Sequence, residues 1–335
     1  MLTQQLLDKA HKVFIKHFAA TVTFQRAIFL NWYCPLDCKF CFMSVEKSNI
    51  IDPKKARRTP ASLLTEAYLC RKLGWEIEFL SSGYRTLEKD YLLKLLKNLY
   101  IVTGNKQWLN VGVLTKEELE YFQDYIIGSC GAVETVNPVI HKRVCPSKPV
   151  EPIVNMFKAC DERGLKKAMT LIIGIGETIE DFKLLKDFIS QNKIDRITVY
   201  SLNPINGTIF TLPPARDYYL EWLAKIRIAF PNLEIIVGVR DSRLDTISQA
   251  MYLGVNSLTK FAALKHFNSK YSQFIEQEIK KSGRILHGTL TELPEIDINE
   301  IDEFDLDSIL KIKLKAKIES YIKMMKRGKK EVIIS

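Results

Sequence analysis

No apolar stretch of this 335-residue chain approaches the roughly 20 residues that cross a bilayer. Even the richest segment, Leu171 to Ile175, contains Gly174 and runs into Gly176 and Glu177. No membrane association is expected. The first 16 residues alternate apolar and charged side chains and lack the apolar run and small-residue cleavage site of a secretory signal, so a cytoplasmic protein is expected. An even set of cysteines, the mark of a disulfide framework, is also missing. There are seven, and in a reducing compartment thiols act as metal ligands, catalytic groups or core residues. The formal charge is +10, yet dense basic runs occur only at Lys54–Arg58 and Lys323–Lys330. The other basic residues are scattered over helical segments, the pattern of a solvated surface, and no nucleic-acid partner is expected. A cationic face does suit an acidic carrier domain.

What the chain has is a rhythm. Strand patterns at Ala27–Asn31, Glu76–Ser81, Trp108–Val113, Ala132–Val136, Ala168–Ile173, Arg196–Leu202, Glu234–Val239 and Asn256–Phe261 alternate with helical ones from Ala61 onward. Eight strands separated by helices call for a parallel sheet with right-handed crossovers. The predicted fold is α/β, a (β/α)8 or partly open TIM-like barrel. It is flanked by an N-terminal helical segment over residues 1–23 and a C-terminal helical extension over 265–335, leaving the barrel to 24–264. Active-site groups then belong in the loops after the strands.

The first of those loops carries Cys34, Cys38 and Cys41, separated by three and then two residues. Thiolates so close in sequence wrap one side of a cubane cluster and cover three of its irons, leaving the fourth open to an exogenous ligand. A zinc site that borrows a distant fourth ligand, and a set of unligated core thiols, are the plainer alternatives.

The pattern C-x3-C-x2-C, with aromatic Phe40 before its last cysteine, resembles the signature of the radical S-adenosylmethionine superfamily. The resemblance runs from about Phe24 to Phe261. It implies a [4Fe–4S] cluster on the three cysteines and S-adenosylmethionine on the open iron. Reductive cleavage of the sulfonium then gives a 5′-deoxyadenosyl radical. By the same resemblance, Ser82 and Gly83 end the second strand where backbone groups meet the methionyl amine, although Tyr84 stands where an acidic residue is often found. Glu134 and Asn137, in a segment followed by His141 and Arg143, match a fourth-strand cofactor contact. Ile172 and Gly174 match the fifth-strand adenine motif, whose first glycine is Thr170 here. Stacking near the adenine would give Phe40 a reason to stand there, and a core-facing role is the alternative. Without the family, Gly174-Ile-Gly176 reads as a tight turn with Glu177 at a helix start.

Gly254–Lys260 and Arg284–Thr291 resemble the closing strand and tail of the biotin synthase-like branch, whose relatives include archaeal two-component lipoyl synthases, a hydrogenase maturase and methylornithine synthase. The three extra cysteines of biotin synthase are missing: the corresponding places lie near Leu80, Asn110 and Ala168. Of the remaining thiols, Cys70 and Cys160 read as buried small hydrophobes on helices. Cys130 and Cys145, flanking the fourth strand, are candidates for a second iron–sulfur cluster. Two reactions follow. Sulfur insertion into an unactivated C–H bond, lipoyl synthase-like on an octanoylated carrier, would make the chain a sulfurtransferase in cofactor biosynthesis and would use that second cluster. Radical rearrangement or C–C or C–S cleavage of a small amino-acid-like substrate would not. For it, Arg240 or Arg243 at the end of the seventh strand holds a carboxylate, a helix-start or surface role being the plainer alternative. By resemblance to biotin synthase and its relatives, Asn203 borders the substrate cavity; on its own it reads as an ordinary turn. The expectation leans to sulfur insertion; a non-catalytic cluster scaffold is the reading from another class. A reductant such as ferredoxin or flavodoxin is implied.

Overall fold

A computed structural model describes residues 2–327. The end of the expected extension and of the basic run Lys323–Lys330 lies outside the described residues. Among the described residues nine strands form one sheet: β1 (Thr21–Phe29), β2 (Glu76–Ser81), β3 (Gln107–Asn110), β4 (Ile126–Glu134), β5 (Lys166–Ile173), β6 (Arg196–Ser201), β7 (Glu234–Gly238), β8 (Ser257–Thr259) and β9 (Ile285–His287). β1 to β8 pair in order and in parallel, and β1 pairs with both β2 and β8. The barrel is therefore closed, a (β/α)8 barrel with helices between its strands. β9 adds to Thr21–Thr23, the start of β1, outside the eight. β5 reads as a continuous buried run from Lys167 to Ile173, as a parallel strand covered on both faces should.

Two strand predictions are displaced. β4 runs over 126–134 and not 132–136, so Cys130 lies inside the strand rather than beside it. Its glycines look like strand breakers, but a Cβ at Gly128 would sit 1.9 Å from the Lys166 carbonyl oxygen, and one at Gly131 would sit 2.3 Å from Ile153 Cγ2. Close packing of the neighbouring strand and helix selects glycine there. β1 begins at Thr21, six residues before the predicted Ala27. The polar Gln25 hides it, because the bottom of this barrel is itself polar. Gln25 Nε2 donates to Glu76 (2.8 Å), Glu234 (3.0 Å) and Ser257 (3.1 Å). Arg196 makes a bidentate pair with Glu234 at 2.8 and 2.9 Å and stacks over the Trp108 ring.

Outside the barrel, helix Gln4–His17 packs on helices Arg216–Ala229 and Ile247–Leu253, and helix Ser308–Arg327 packs on Pro60–Leu73. These layers put the loops after the strands at one end, where one cavity opens.

Candidate active site

The cysteine loop leaves β1 pinned at both ends. Asn31 is fully buried; its Oδ1 accepts from Gly83 N (3.0 Å) and its Nδ2 donates to Thr86 Oγ1 (2.6 Å), tying the loop to the turn after β2. At Gly83 a Cβ would fall 1.8 Å from the Tyr33 carbonyl oxygen, so only glycine lets the turn approach. Beside it, Tyr84 N donates to Cys34 Sγ at 3.4 Å. At the far end Lys39 N donates to Val144 O (2.8 Å), docking the loop on helix Pro138–Val144.

Cys38 is buried beside Cys145, whose thiol hydrogen-bonds to it and holds Cys38 below its ordinary range. Burial pushes the Cys41 thiol up to about 11, so it stays protonated at neutral pH unless a metal takes its sulfur. Among the described residues no three thiols, imidazoles or carboxylates converge on one point as a mononuclear ion requires. A cubane instead takes one thiolate at each of three irons.

Cys34, Cys38 and Cys41 line a cavity of about 460 Å³ to which the ends of all eight barrel strands or their loops contribute. Phe40, Ser82, Gly83, Glu134 and Ile172 line it too. Glu134 ends β4 with φ +65°, in the left-handed region. Its carboxylate accepts from Lys148 Nζ (3.1 Å) and Thr170 Oγ1 (2.9 Å). Lys148 is buried; burial lowers its basicity, but Glu134 with the nearby thiols more than compensates, and its pKa lies above the usual lysine value. The structure brings Thr170, in the place of the family's glycine, onto this pair.

Asn137 and Gly174 stand apart from the cavity lining. Asn137 caps helix Pro138–Val144, accepting from Val139 N (3.0 Å) and Ile140 N (3.2 Å), and donates to Asp181. Gly174 (φ +106°) forms the turn after β5, where a Cβ would meet Pro214 at 2.8 Å. Its N–H and that of Ile175 are taken by Glu177. Gly174 thus serves the turn that its local pattern suggests, and Asn137 serves as a helix cap.

Asn203, Arg240 and Arg243 line the cavity on the β6–β7 side. Arg243 also donates to Pro214 O. Sequence reasoning missed three charged residues here. Lys148 lies in the loop after helix Pro138–Val144, with no pattern to mark it. Lys260 follows β8 as Arg240 follows β7, which was a usable signal. Glu78 is a charge inside an otherwise apolar strand; fully buried, it accepts from Thr198 (2.8 Å), Tyr200 (3.1 Å) and Thr259 (2.5 Å) hydroxyls.

The other thiols disperse. Cys130 packs with Phe79, Trp108 and Ala168 inside the barrel, whereas Cys145 packs with Cys38, Ile175 and Leu202. The two candidates for a second cluster thus sit in separate apolar groups. Cys70 and Cys160 are buried in the main core, as expected of small hydrophobes, and burial pushes their thiols up to about 12 and about 11.

The sequence profile of the radical SAM superfamily matches residues 33–189, a span that opens one residue before Cys34 and includes the ends of β2 to β5. The chain belongs to the radical SAM superfamily. An uncharacterized protein of Methanocaldococcus jannaschii is 40% identical over 300 residues, covering 88% of this chain and 83% of that protein. A biotin synthase of Thermotoga neapolitana is 26% identical over 240 residues, covering 67% and 83%, and places the chain on the biotin synthase-like branch of the superfamily. The crystal structure of a methylornithine synthase superposes with a TM-score of 0.67 over 76% of each chain at 19% identity, a likeness of fold. The residues present fit the superfamily's cofactors. Three thiols line one cavity, the donor set that an iron–sulfur cluster takes. No helix among the described residues is long and apolar enough to cross a membrane.

Proposed function

We propose that this radical SAM enzyme holds one [4Fe–4S] cluster on Cys34, Cys38 and Cys41 and catalyses a radical rearrangement, or a C–C or C–S cleavage, of a small amino-acid-like substrate. The observation that carries the choice is the separation of Cys130 from Cys145. Sulfur insertion was expected to draw on a second cluster at those thiols, and they lie in different apolar groups. A cavity of about 460 Å³ that would also have to hold S-adenosylmethionine suits a small reacting group.

When bound, the cluster supplies the electron that cleaves S-adenosylmethionine to the 5′-deoxyadenosyl radical. The chain's residues do the rest by position. The Tyr84 N–H and the Cys145 thiol donate to the sulfurs of Cys34 and Cys38 and steady those ligands. Ser82 and Gly83 offer backbone to the methionyl amine. Glu134, oriented by Lys148 and Thr170, faces the cofactor. Phe40 and Ile172 form an apolar wall that keeps water from a reactive radical. Asn203, Arg240 and Arg243 border the substrate, the arginines making that side of the cavity cationic. A ferredoxin or flavodoxin is the proposed reductant.

The biotin synthase relatives favour sulfur insertion as a second reading. Iron counting on anaerobically reconstituted protein separates the two. About four irons per chain, lost in a Cys34/Cys38/Cys41 triple alanine variant, supports rearrangement or cleavage; about eight, with about four surviving in that variant, supports sulfur insertion.

A further inference from the structure

We infer that Lys260, caged by three aromatic rings at the end of β8, is the group that receives the substrate's carboxylate. The inference deepens the reading above and rests on it. The Lys260 ammonium lies 4.7 Å from the ring centre of Phe29, 5.1 Å from Tyr200 and 5.5 Å from Phe79. It borders the cavity, and its ammonium makes no hydrogen bond or ion pair among the described residues. Ring faces stabilise a cation but accept none of its three N–H groups in a regular hydrogen bond, so the cage leaves donors aimed at whatever enters.

The surroundings favour an anion. Arg240 adds positive charge, and Val239 N donates to Thr259 O (2.8 Å), which sets the ends of β7 and β8 side by side. Glu78 and Glu134 are the carboxylates whose fields reach Lys260. The first is occupied by three hydroxyls and the second by Lys148 and Thr170. Burial outweighs them and lowers the basicity of Lys260 below the ordinary lysine value. An arriving carboxylate reverses that imbalance, in a site where the rings exclude water and strengthen the pair.

The cage is also built. Lys260 is held at φ +68°, and a Cβ at Gly238 would strike Tyr200 Cδ1 at 2.5 Å and approach Lys260 Cγ at 3.6 Å. Phe79, Ile153, Met156 and Leu202 give the cavity apolar wall. The fitting substrate is a free carboxylate on a largely hydrocarbon body. An acyl chain joined to a carrier through a neutral amide brings no such charge.

The test uses reconstituted protein with S-adenosylmethionine bound. A brief acetic anhydride pulse is applied in hexanoate or in hexanamide, and acetylation of Lys260 is read by peptide mass spectrometry against exposed Lys9. Hexanoate is expected to slow Lys260 labelling about tenfold and hexanamide by less than about twofold. No protection, or equal protection by both, overturns the inference. Equilibrium dialysis gives the second arm: hexanoate is expected to bind about tenfold more weakly to Lys260→Met and within about threefold of the parent to Lys260→Arg. Equal binding by Lys260→Met and the parent also overturns it. Thermal melts check that both variants fold, and labelling of the parent decides if one does not. A parent that forms 5′-deoxyadenosine while Lys260 goes unprotected loses this inference alone; a parent that forms none loses the underlying reading.

Discussion

Replacing Glu134 by Gln removes the carboxylate bonded to the buried Lys148, and the cost follows from the geometry. In the parent, Lys148 Nζ lies 3.1 Å from Glu134 Oε1, with side-chain exposures of 7% and 11%. Breaking one partner of such a pair typically costs about 3–5 kcal/mol. An upper bound comes from the escape open to Lys148, which is to lose its proton. From an ordinary pKa of about 10.4 that costs about 4.6 kcal/mol at pH 7. A loss of about 3–4 kcal/mol is therefore expected in guanidinium unfolding of the metal-free protein at pH 7. The pH dependence has a definite sign. In the parent the folded pKa of Lys148 is raised, so its contribution is complete below the unfolded value of about 10.4 and is lost only as pH climbs through the folded one. In the variant burial is opposed only by the nearby thiols, and the folded pKa is expected to fall below the unfolded one. The unfolded chain then binds more protons between the two values, and the deficit should shrink as pH rises from 7 toward 9.5. Glu134→Gln combined with Lys148→Met should recover to within about 1.5 kcal/mol of the parent, since no uncompensated charge remains. A single-variant loss under about 1 kcal/mol at both pH values would refute the claim that this pair is buried and coupled.

Three further outcomes are expected. Gly83→Ala should destabilise the chain by about 2–3 kcal/mol or more and cut iron incorporation sharply, because its methyl would fall 1.8 Å from the Tyr33 carbonyl; a normal iron count would contradict that contact. Glu78→Gln should cost about 2–4 kcal/mol, since an amide offers one acceptor oxygen to three hydroxyls that now share a carboxylate; denaturant unfolding reads it, and a neutral result would show the network to be dispensable. Cys130→Ser with Cys145→Ser should leave about four irons per reconstituted chain, and a fall from about eight to four would restore the second cluster.

The barrel was legible because strand and helix periods alternate cleanly, and β2 begins and ends where the sequence pattern puts it. What escaped was decided by contacts that no local pattern encodes. Gly128 and Gly131 look like breaks in β4, yet they are demanded by Lys166 and Ile153, which are distant in sequence. Gln25 reads as a loop residue, and its partners Glu76, Glu234 and Ser257 come together only when the barrel closes. At the site, the cysteine triplet announces itself through spacing, whereas Lys148 meets Glu134 through a fold in the loop after a helix. Gly174 and Asn137 show the converse: both suit a motif, and both serve the turn or cap that any strand-to-helix junction needs.

The most direct test of the account is product analysis after anaerobic reduction of the reconstituted protein with S-adenosylmethionine. The parent is expected to release 5′-deoxyadenosine and methionine, and Cys34→Ala to release neither. Absence of 5′-deoxyadenosine from a parent with a full cluster, or undiminished cleavage by Cys34→Ala, would contradict it.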